Sequence, residues 1–513
     1  MARAGGRAAA ARVGAGIFVS RALGFVRERV FAHYFGSSDF ADAWRAALRL
    51  PNVLRNLLGE GTLSASMIPV YAELVEQGRD EDARRFAGAV LGILAVVAGA
   101  VVVTGVTVAP LLVRVFFPLW SPEKREITAI LVRILFPMVG IFVISAWAMG
   151  ILDSHRRFFV SYVAPAMWNV AAITAMVAGG LYWALGQRDL VIVLAVGAVV
   201  GGALQLGLQL PFVLRYLRGM RVSLGRGVEG VSEAIHNFVP VVAARGVINV
   251  SGWFEVFLAG LLSTGAVAVM GYAQTFYILP ISLFGISVAA SELPELSRMR
   301  DEDLRVLADR VSVALRRVAY FLVPSTIGYL TLGDVAIAGL FETGAFGPEQ
   351  TLVTWAVLGG FSLGLPASAG SRALSSAFYA LRDTRTPARI AYLRVAVALT
   401  VGMVLMVPLD RVGLVDLRLG AAGLALGASA GAWLEYTLLR RALARRLGPH
   451  GAGTGHLVRF TLAAALAAAV GVALQVVLPP TAPIVLALAT LVPFAVVYLA
   501  GTSALGEGIR WRR

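Results

Sequence analysis

The chain of 513 residues contains no cysteine. That excludes disulfides, thiolate metal sites and cysteine nucleophiles. Histidine is scarce too: His33, His155, His236, His450 and His456 are scattered, and none falls in a metal-ligand spacing such as HExxH. Charge is thin as well. Only 15% of the residues are Asp, Glu, Lys or Arg, against 58% hydrophobic, too little polar surface for a soluble chain of this length. Apolar runs recur from end to end, each roughly the 20 residues that a helix needs to cross about 30 Å of hydrocarbon. This is the composition of an all-α polytopic membrane protein. The opening MARAGGRAAAARVG is basic, but arginines interrupt the apolar stretch behind it, so a cleaved signal peptide is not expected.

Fourteen membrane helices are predicted, near 13–35, 40–66, 86–117, 126–152, 159–185, 189–216, 234–262, 265–294, 312–340, 350–380, 387–408, 418–441, 457–477 and 482–503. The net charge of +15 raises three options: nucleic acid, anionic lipid or topology. Its placement decides. With the N-terminus inside, the inner loops hold Arg79, Arg84, Arg85, Arg156, Arg157, Arg215, Arg218, Arg221 and Arg226, then the 298–317 cluster, Arg382, Arg385, Arg389, Arg440, Arg441, Arg445 and Arg446. The outer loops hold only Lys124, Arg125, Arg188, Arg411 and Arg418. That is the positive-inside pattern, and nucleic acid is not an expected partner. Both termini are expected in the cytoplasm.

A weak internal repeat is present. GTLSASMIPVYAEL (61–74) echoes ISVAASELPELSRM (286–299), each following a Leu-Pro, and ILDSHRRF (151–158) echoes ALRDTRTP (380–387), which pairs Asp153 with Asp383. An even number of helices separates the copies, which implies parallel repeats: residues 1–230 as one six-helix lobe, 231–445 as a second, and 446–513 as two appended helices with a basic tail. Two such bundles form a transporter architecture.

The informative charges lie inside the apolar segments. In the second segment Asp42, Arg45, Arg49, Asn52 and Asn56 share one helical stripe, with Arg55 beside it. In the first, Arg21 and Arg27 flank Gly24 on a polar sector that includes Ser20. Five of these arginines facing lipid would cost about 12–18 kcal/mol. That exceeds the net stability of most proteins, so a wet, protein-lined cavity is expected to receive them. Some arginines are satisfied by pairing with Asp42, Glu28 or Glu60 or by snorkelling, but five guanidinium groups meet too few carboxylates for all to be neutralised. Arginine forks match phosphate oxygens, and phosphate or pyrophosphate is the inferred ligand. Pro51, Gly59, Gly61 and Gly24 are candidate hinges. In the second half, Arg245, Asn249, Ser251, Glu255, Arg372 and Glu435 are sparser; each has a local pairing or packing alternative.

At these residues the chain resembles the MurJ (MviN) family, lipid II flippases of the multidrug/oligosaccharidyl-lipid/polysaccharide exporter superfamily. The segments that carry the resemblance are SRALGFVRERVFAHYFG, DAWRAALRLPNVLRNLLGEGTLSASMIPVYAEL, APAMWNV and FYALRDTRTPARIA. It implies fourteen helices in two lobes around a V-shaped cavity, and transport of undecaprenyl-pyrophosphoryl-disaccharide-pentapeptide between leaflets of the bacterial cytoplasmic membrane. The family's essential arginines fall on Arg21 and Arg27, its acid on Asp42, its basic position on Arg49, and its Pro-Asn-x-x-Arg on Pro51, Asn52 and Arg55. Two positions depart. Gln274 and Thr275 stand where the family has an arginine, and Gly402 lies near a polar position of the family's sodium site.

The expected activity is therefore lipid II flipping by alternating access, without catalysis, cofactor or metal. Arg21, Arg27 and Arg55 would hold the pyrophosphate with Arg49 and Asn52, and Asp42 would orient the arginines. Ser20, Arg245, Glu255 and Arg372 would give support, Arg245 replacing the missing cation. The coupling ion stays open. The alternatives are a flippase for another lipid-linked oligosaccharide, a non-transporting scaffold for cell-wall synthesis proteins, or a membrane enzyme, for which a buried His–carboxylate pair is lacking. Topology is directly testable in a cysteine-free chain. Single cysteines at 37–39 and 345–348 should react with an impermeant maleimide on intact cells, and cysteines at 155 and 383 should react only after lysis. Inverted labelling would overturn the loop-charge argument.

Overall fold

The computed structural model describes residues 2–59, 63, 66–285, 304–414, 417–479 and 482–507. Long helices follow one another with short turns. They are α1 (Ala2–Phe35), α2 (Asp39–Leu58), the short α3 (Ile68–Glu76), α4 (Asp80–Phe116), α5 (Pro122–Ser154), α6 (Phe158–Val163), α7 (Pro165–Val177) and α8 (Gln187–Tyr216). Then come α9 (Val231–Gly260), α10 (Ala266–Pro280), α11 (Leu304–Phe341), α12 (Pro348–Ser362), α13 (Leu365–Ala380) and α14 (Arg385–Asp410). A two-residue hairpin, β1 (Gly413–Leu414) with β2 (Leu417–Arg418), precedes α15 (Gly420–Leu447), α16 (Thr454–Val477) and α17 (Pro483–Ala504). The chain divides into two compact units, Met1–Leu261 and Leu262–Arg513.

Among the described residues ten helices are long and apolar enough to cross a membrane. The other four long helices, α1, α2, α9 and α15, run to 34, 20, 30 and 28 residues. The predicted total of fourteen crossings therefore rests, for these four, on length rather than on apolarity. In α2 the reason is plain: Asp39, Asp42, Arg45, Arg49 and Arg55 occupy one 20-residue helix. It ends at Leu58, earlier than the predicted 66. Pro51 sits inside it without ending it, and Gly59 follows, so close to the preceding turn that a Cβ would lie 2.3 Å from the Arg55 carbonyl oxygen. The predicted hinge at Gly61, and Glu60, lie outside the described residues.

Local signals set the helix starts. Ser38 caps α2, accepting from the Ala41 amide at 3.4 Å, and the first turn carries Asp39 and Asp42, favourable to the helix dipole. Ser121 caps α5 at 3.2 Å from the Lys124 amide, with Pro122 in the first turn. The core of the first unit gathers Tyr71, Phe86, Val139, Trp147 and Leu152, and the Trp147 indole donates to the Ala87 carbonyl at 3.1 Å. In the second unit Leu315, Phe378, Leu439, Phe460 and Tyr498 play the same part, and the Tyr320 hydroxyl meets that of Thr502 at 3.2 Å.

The two loops matched in the sequence echo begin with the same kind of turn. Arg156 and Arg382 both adopt φ 58° at the end of a helix. The next residue's amide, Arg157 or Asp383, closes on a carbonyl five positions back, Leu152 or Phe378. The same closure follows Gly78 and Gly506, so the turn is a helix ending this chain uses several times.

The pair α14 and α15 packs backbone to backbone. A Cβ on Gly427 would lie 2.4 Å from the Gly402 nitrogen and 2.5 Å from the Ala398 carbonyl oxygen, and Gly423 and Gly431 face α14 as closely. This is the small-residue spacing by which helices approach in lipid. It also explains Gly402: the position is spent on a helix crossing. Gly427→Val should therefore lower the melting temperature of the detergent-purified protein, in line with the roughly 1–3 kcal/mol typical of overpacking. Gly455→Val, where nothing lies within 4 Å, should leave it unchanged.

Candidate functional site

The charged stripe of α2 meets α1, α5 and α9 within the first unit, and α1 in turn meets α7. Glu28, buried on α1, divides its two oxygens: Oε1 accepts from Arg27 Nη2 at 2.5 Å and Oε2 from Arg45 Nη2 of α2 at 2.5 Å. Arg27 reaches further, donating from Nη1 to Asn169 Oδ1 of α7 at 3.2 Å and lying 4.4 Å over the Trp168 ring. Asn169 in turn donates to the Ser20 carbonyl at 3.3 Å, so Ser20 supports the cluster through its backbone. Arg45 lies 5.1 Å over Phe31. Aromatic faces and amides thus hold guanidinium groups that one carboxylate neutralises only in part.

A second ionic knot sits at the start of α2. Lys124 of α5, its side chain 5% exposed, puts Nζ 2.7 Å from Asp39 Oδ1 and 2.7 Å from Asp42 Oδ2, and lies 4.3 Å over Trp120. The Trp120 indole donates to the Gly260 carbonyl of α9 at 2.8 Å, which ties α9's end to the same knot. Asp42 pairs with this lysine, and Glu28 is a carboxylate that bridges Arg27 and Arg45.

The remaining predicted residues separate by environment. Arg21 and Arg55 are exposed, as is Asn56, and Arg55 lies 5.1 Å from the Phe142 ring centre. Asn52 is half-buried and Pro51 buried. Arg49 is enclosed: its Nη2 lies where a Cβ on Gly252 would stand, 2.0 Å away, beside a cavity lined by Phe116, Phe117, Trp253 and Phe257. It is grouped with aromatic rings of α4 and α9 rather than with the exposed arginines. Gly24 has open space beside it. Glu255 is half-buried on α9. The side chain of Arg245, with those of Asn249 and Ser251, lies outside the described residues.

In the second unit, Arg372 is exposed on α13, and Glu435 of α15 is bound by Arg394 of α14 at 2.7 Å. Thr275 turns its hydroxyl back to the Gly271 carbonyl at 3.0 Å, an internal helix bond. Sequence reasoning had named Glu28 as a pairing partner of the arginines, which the structure bears out, but had not assigned Asn169, Trp168 or Lys124 to the site. For Trp168 and Asn169 a signal existed in APAMWNV, where an amide and an indole stand in an apolar helix. For Lys124 the only hint was its place one turn after a Ser-Pro helix start.

Among the described residues of this region, Glu28 joins Arg27 to Arg45, and Lys124 joins Asp39 to Asp42. Guanidinium forks of this kind match the oxygens of an oxyanion.

Comparison with known proteins gives the family. The family model for lipid II flippase MurJ matches residues 31–493. A probable lipid II flippase MurJ of Rhizobium tropici is 30% identical over 455 residues, 87% of this chain and 81% of the relative. Among solved structures, a lipid II flippase MurJ in an inward closed conformation superposes with a TM-score of 0.77 at 22% identity, covering 96% of this chain and 98% of the other. An inward-facing multidrug resistance MATE family transporter of the MOP superfamily gives 0.66 at 14% identity, over 82% and 94%. The likeness to the MOP transporters is one of fold. The chain belongs to the lipid II flippase MurJ family.

Proposed function

We propose that this chain moves lipid II across the bacterial cytoplasmic membrane by exposing its α1–α2 arginines alternately to the two sides. The observation that carries the reading is the charge imbalance around Glu28: one buried carboxylate serves two guanidinium groups, and Arg21 and Arg55 stand exposed on the same two helices. A pyrophosphate offers many acceptor oxygens to guanidinium N–H donors. Arg21, Arg27 and Arg55 bind it, Glu28 and Asn169 fix Arg27, and Lys124 holds Asp39 and Asp42 away from the substrate charge. The polyprenyl tail needs no polar partner and stays in lipid. Both termini face the cytoplasm in this reading, which follows the loop charges.

Thr275, bonded to its own helix, supplies no cation, so the anion is held mainly by the first unit. This feature also favours a second reading, a flippase for a different lipid-linked oligosaccharide. Complementation of a strain depleted of its own flippase separates the two. Rescue supports lipid II; failure by a chain that accumulates in the membrane supports the other cargo or a scaffold.

Arg21→Ala, Arg27→Ala and Arg55→Ala should each reduce lipid II accessibility at the outer surface by about tenfold or more, the worth of a charged hydrogen bond. Arg411→Ala, exposed beyond the end of α14, should stay near wild type. Equal behaviour of all four would remove the arginines from the mechanism. Glu28→Gln strands two guanidinium groups in a part-buried cluster, so it should lower the melting temperature more than Asp39→Asn, whose carboxylate is 48% exposed. Differential scanning fluorimetry in detergent is the measurement.

A further inference from the structure

The loop 217–230 joins α8 to α9 within the first unit. Its sequence, LRGMRVSLGRGVEG, carries Arg218, Arg221 and Arg226 and no carboxylate before Glu229, which Arg79 engages at 2.5 Å. The connection is built, not slack. The Ser223 amide donates to the Gly88 carbonyl of α4 at 3.3 Å. Gly88 and Gly92 admit the loop backbone so closely that a Cβ would come within 2.2 Å of the Arg221 carbonyl oxygen and 2.0 Å of that of Ser223. Pinned in this way along α4, the loop exposes its side chains. Val222 is 60% exposed and Leu224 59%. Arg218, Arg221 and Arg226 are exposed beside them, and no ion pair or hydrogen bond occupies their guanidinium groups among the described residues.

Topology alone explains a count of arginines in a loop. It does not explain two apolar side chains held out between them on a fixed backbone. That alternation of cation and hydrocarbon suits one environment, the boundary between lipid headgroups and acyl chains. The loop leaves directly from the end of the apolar α8, which places it at that depth. We propose that residues 218–226 form a docking surface for anionic phospholipid, with Val222 and Leu224 entering the acyl boundary and the three arginines meeting headgroup phosphates. An acidic protein partner would satisfy the arginines but leave the apolar pair unused, and the charge pattern favours the lipid. The proposal holds whatever cargo the protein carries.

The absence of cysteine allows a direct test. V222C, carrying a polarity-sensitive fluorophore, is placed in nanodiscs of phosphatidylcholine with or without phosphatidylglycerol. Emission should shift to the blue when phosphatidylglycerol is present. The shift should vanish in R218Q/R221Q/R226Q and persist in R218K/R221K/R226K, which keeps the charge. Each basic residue near an anionic surface is worth on the order of fivefold in binding, so the glutamine triple variant should lower phosphatidylglycerol retention through detergent by at least about tenfold. Emission indifferent to phosphatidylglycerol, or a shift unchanged in the glutamine variant, would overturn the proposal. So would an equal loss in R382Q/R385Q/R389Q, since the effect would then be net charge and not this loop.

Discussion

A carboxylate shared between two guanidinium groups is the constraint from which the site follows. Glu28 spends one oxygen on Arg27 and the other on Arg45, and by doing so fastens α1 to α2. In an apolar slab an unpaired arginine is expensive, and a fully neutralised one has nothing left for a ligand. One acid for two bases is a compromise between these limits. Glu28 thereby holds two cations in one cluster. The ring of Trp168 and the amide of Asn169 lower its cost without cancelling its charge.

The second ionic knot has the opposite balance. Lys124 serves two aspartates, so the start of α2 carries an excess of negative charge while the α1–α2 cluster carries an excess of positive charge. Lys124 engages both aspartates at the start of α2, while Glu28 engages the arginines from α1. Trp120 links this knot to the last carbonyl of α9, so the same contact that parks the acids also anchors a helix end. Local electrostatics and helix packing are here one arrangement.

Packing in the second unit relies on what is missing from side chains. Gly423, Gly427 and Gly431 let α15 lie directly on the backbone of α14. In lipid, where apolar contact with a neighbouring helix gains little over contact with acyl chains, close backbone approach is a main source of association. A residue that the family resemblance marked for ion chemistry, Gly402, is thereby explained as a contact point. Arg394 and Glu435 join the same two helices by a salt bridge, which assigns that intramembrane acid to structure.

Much of this was legible without coordinates. The motifs of the first two helices carried the family resemblance, although several helix ends lay elsewhere, α2 stopping at Leu58. The apolar runs determined the class and the order of the helices, because burial in a membrane writes itself into composition and period. The presence of surplus arginine in α1 and α2 was legible for the same reason: charge inside hydrocarbon is conspicuous. Partner choice was not. Lys124 is 82 residues from Asp42 and Asn169 is 142 from Arg27, and nothing in a linear pattern ranks one distant partner over another. Nor could residue identity reveal that Arg156 and Arg382 share a left-handed backbone, or that Arg49 lies against Gly252 among aromatic rings. The chain's sequence determined which charges had to be accommodated; the tertiary structure decided how, since the length and aim of each side chain are settled only when the helices that carry them have packed.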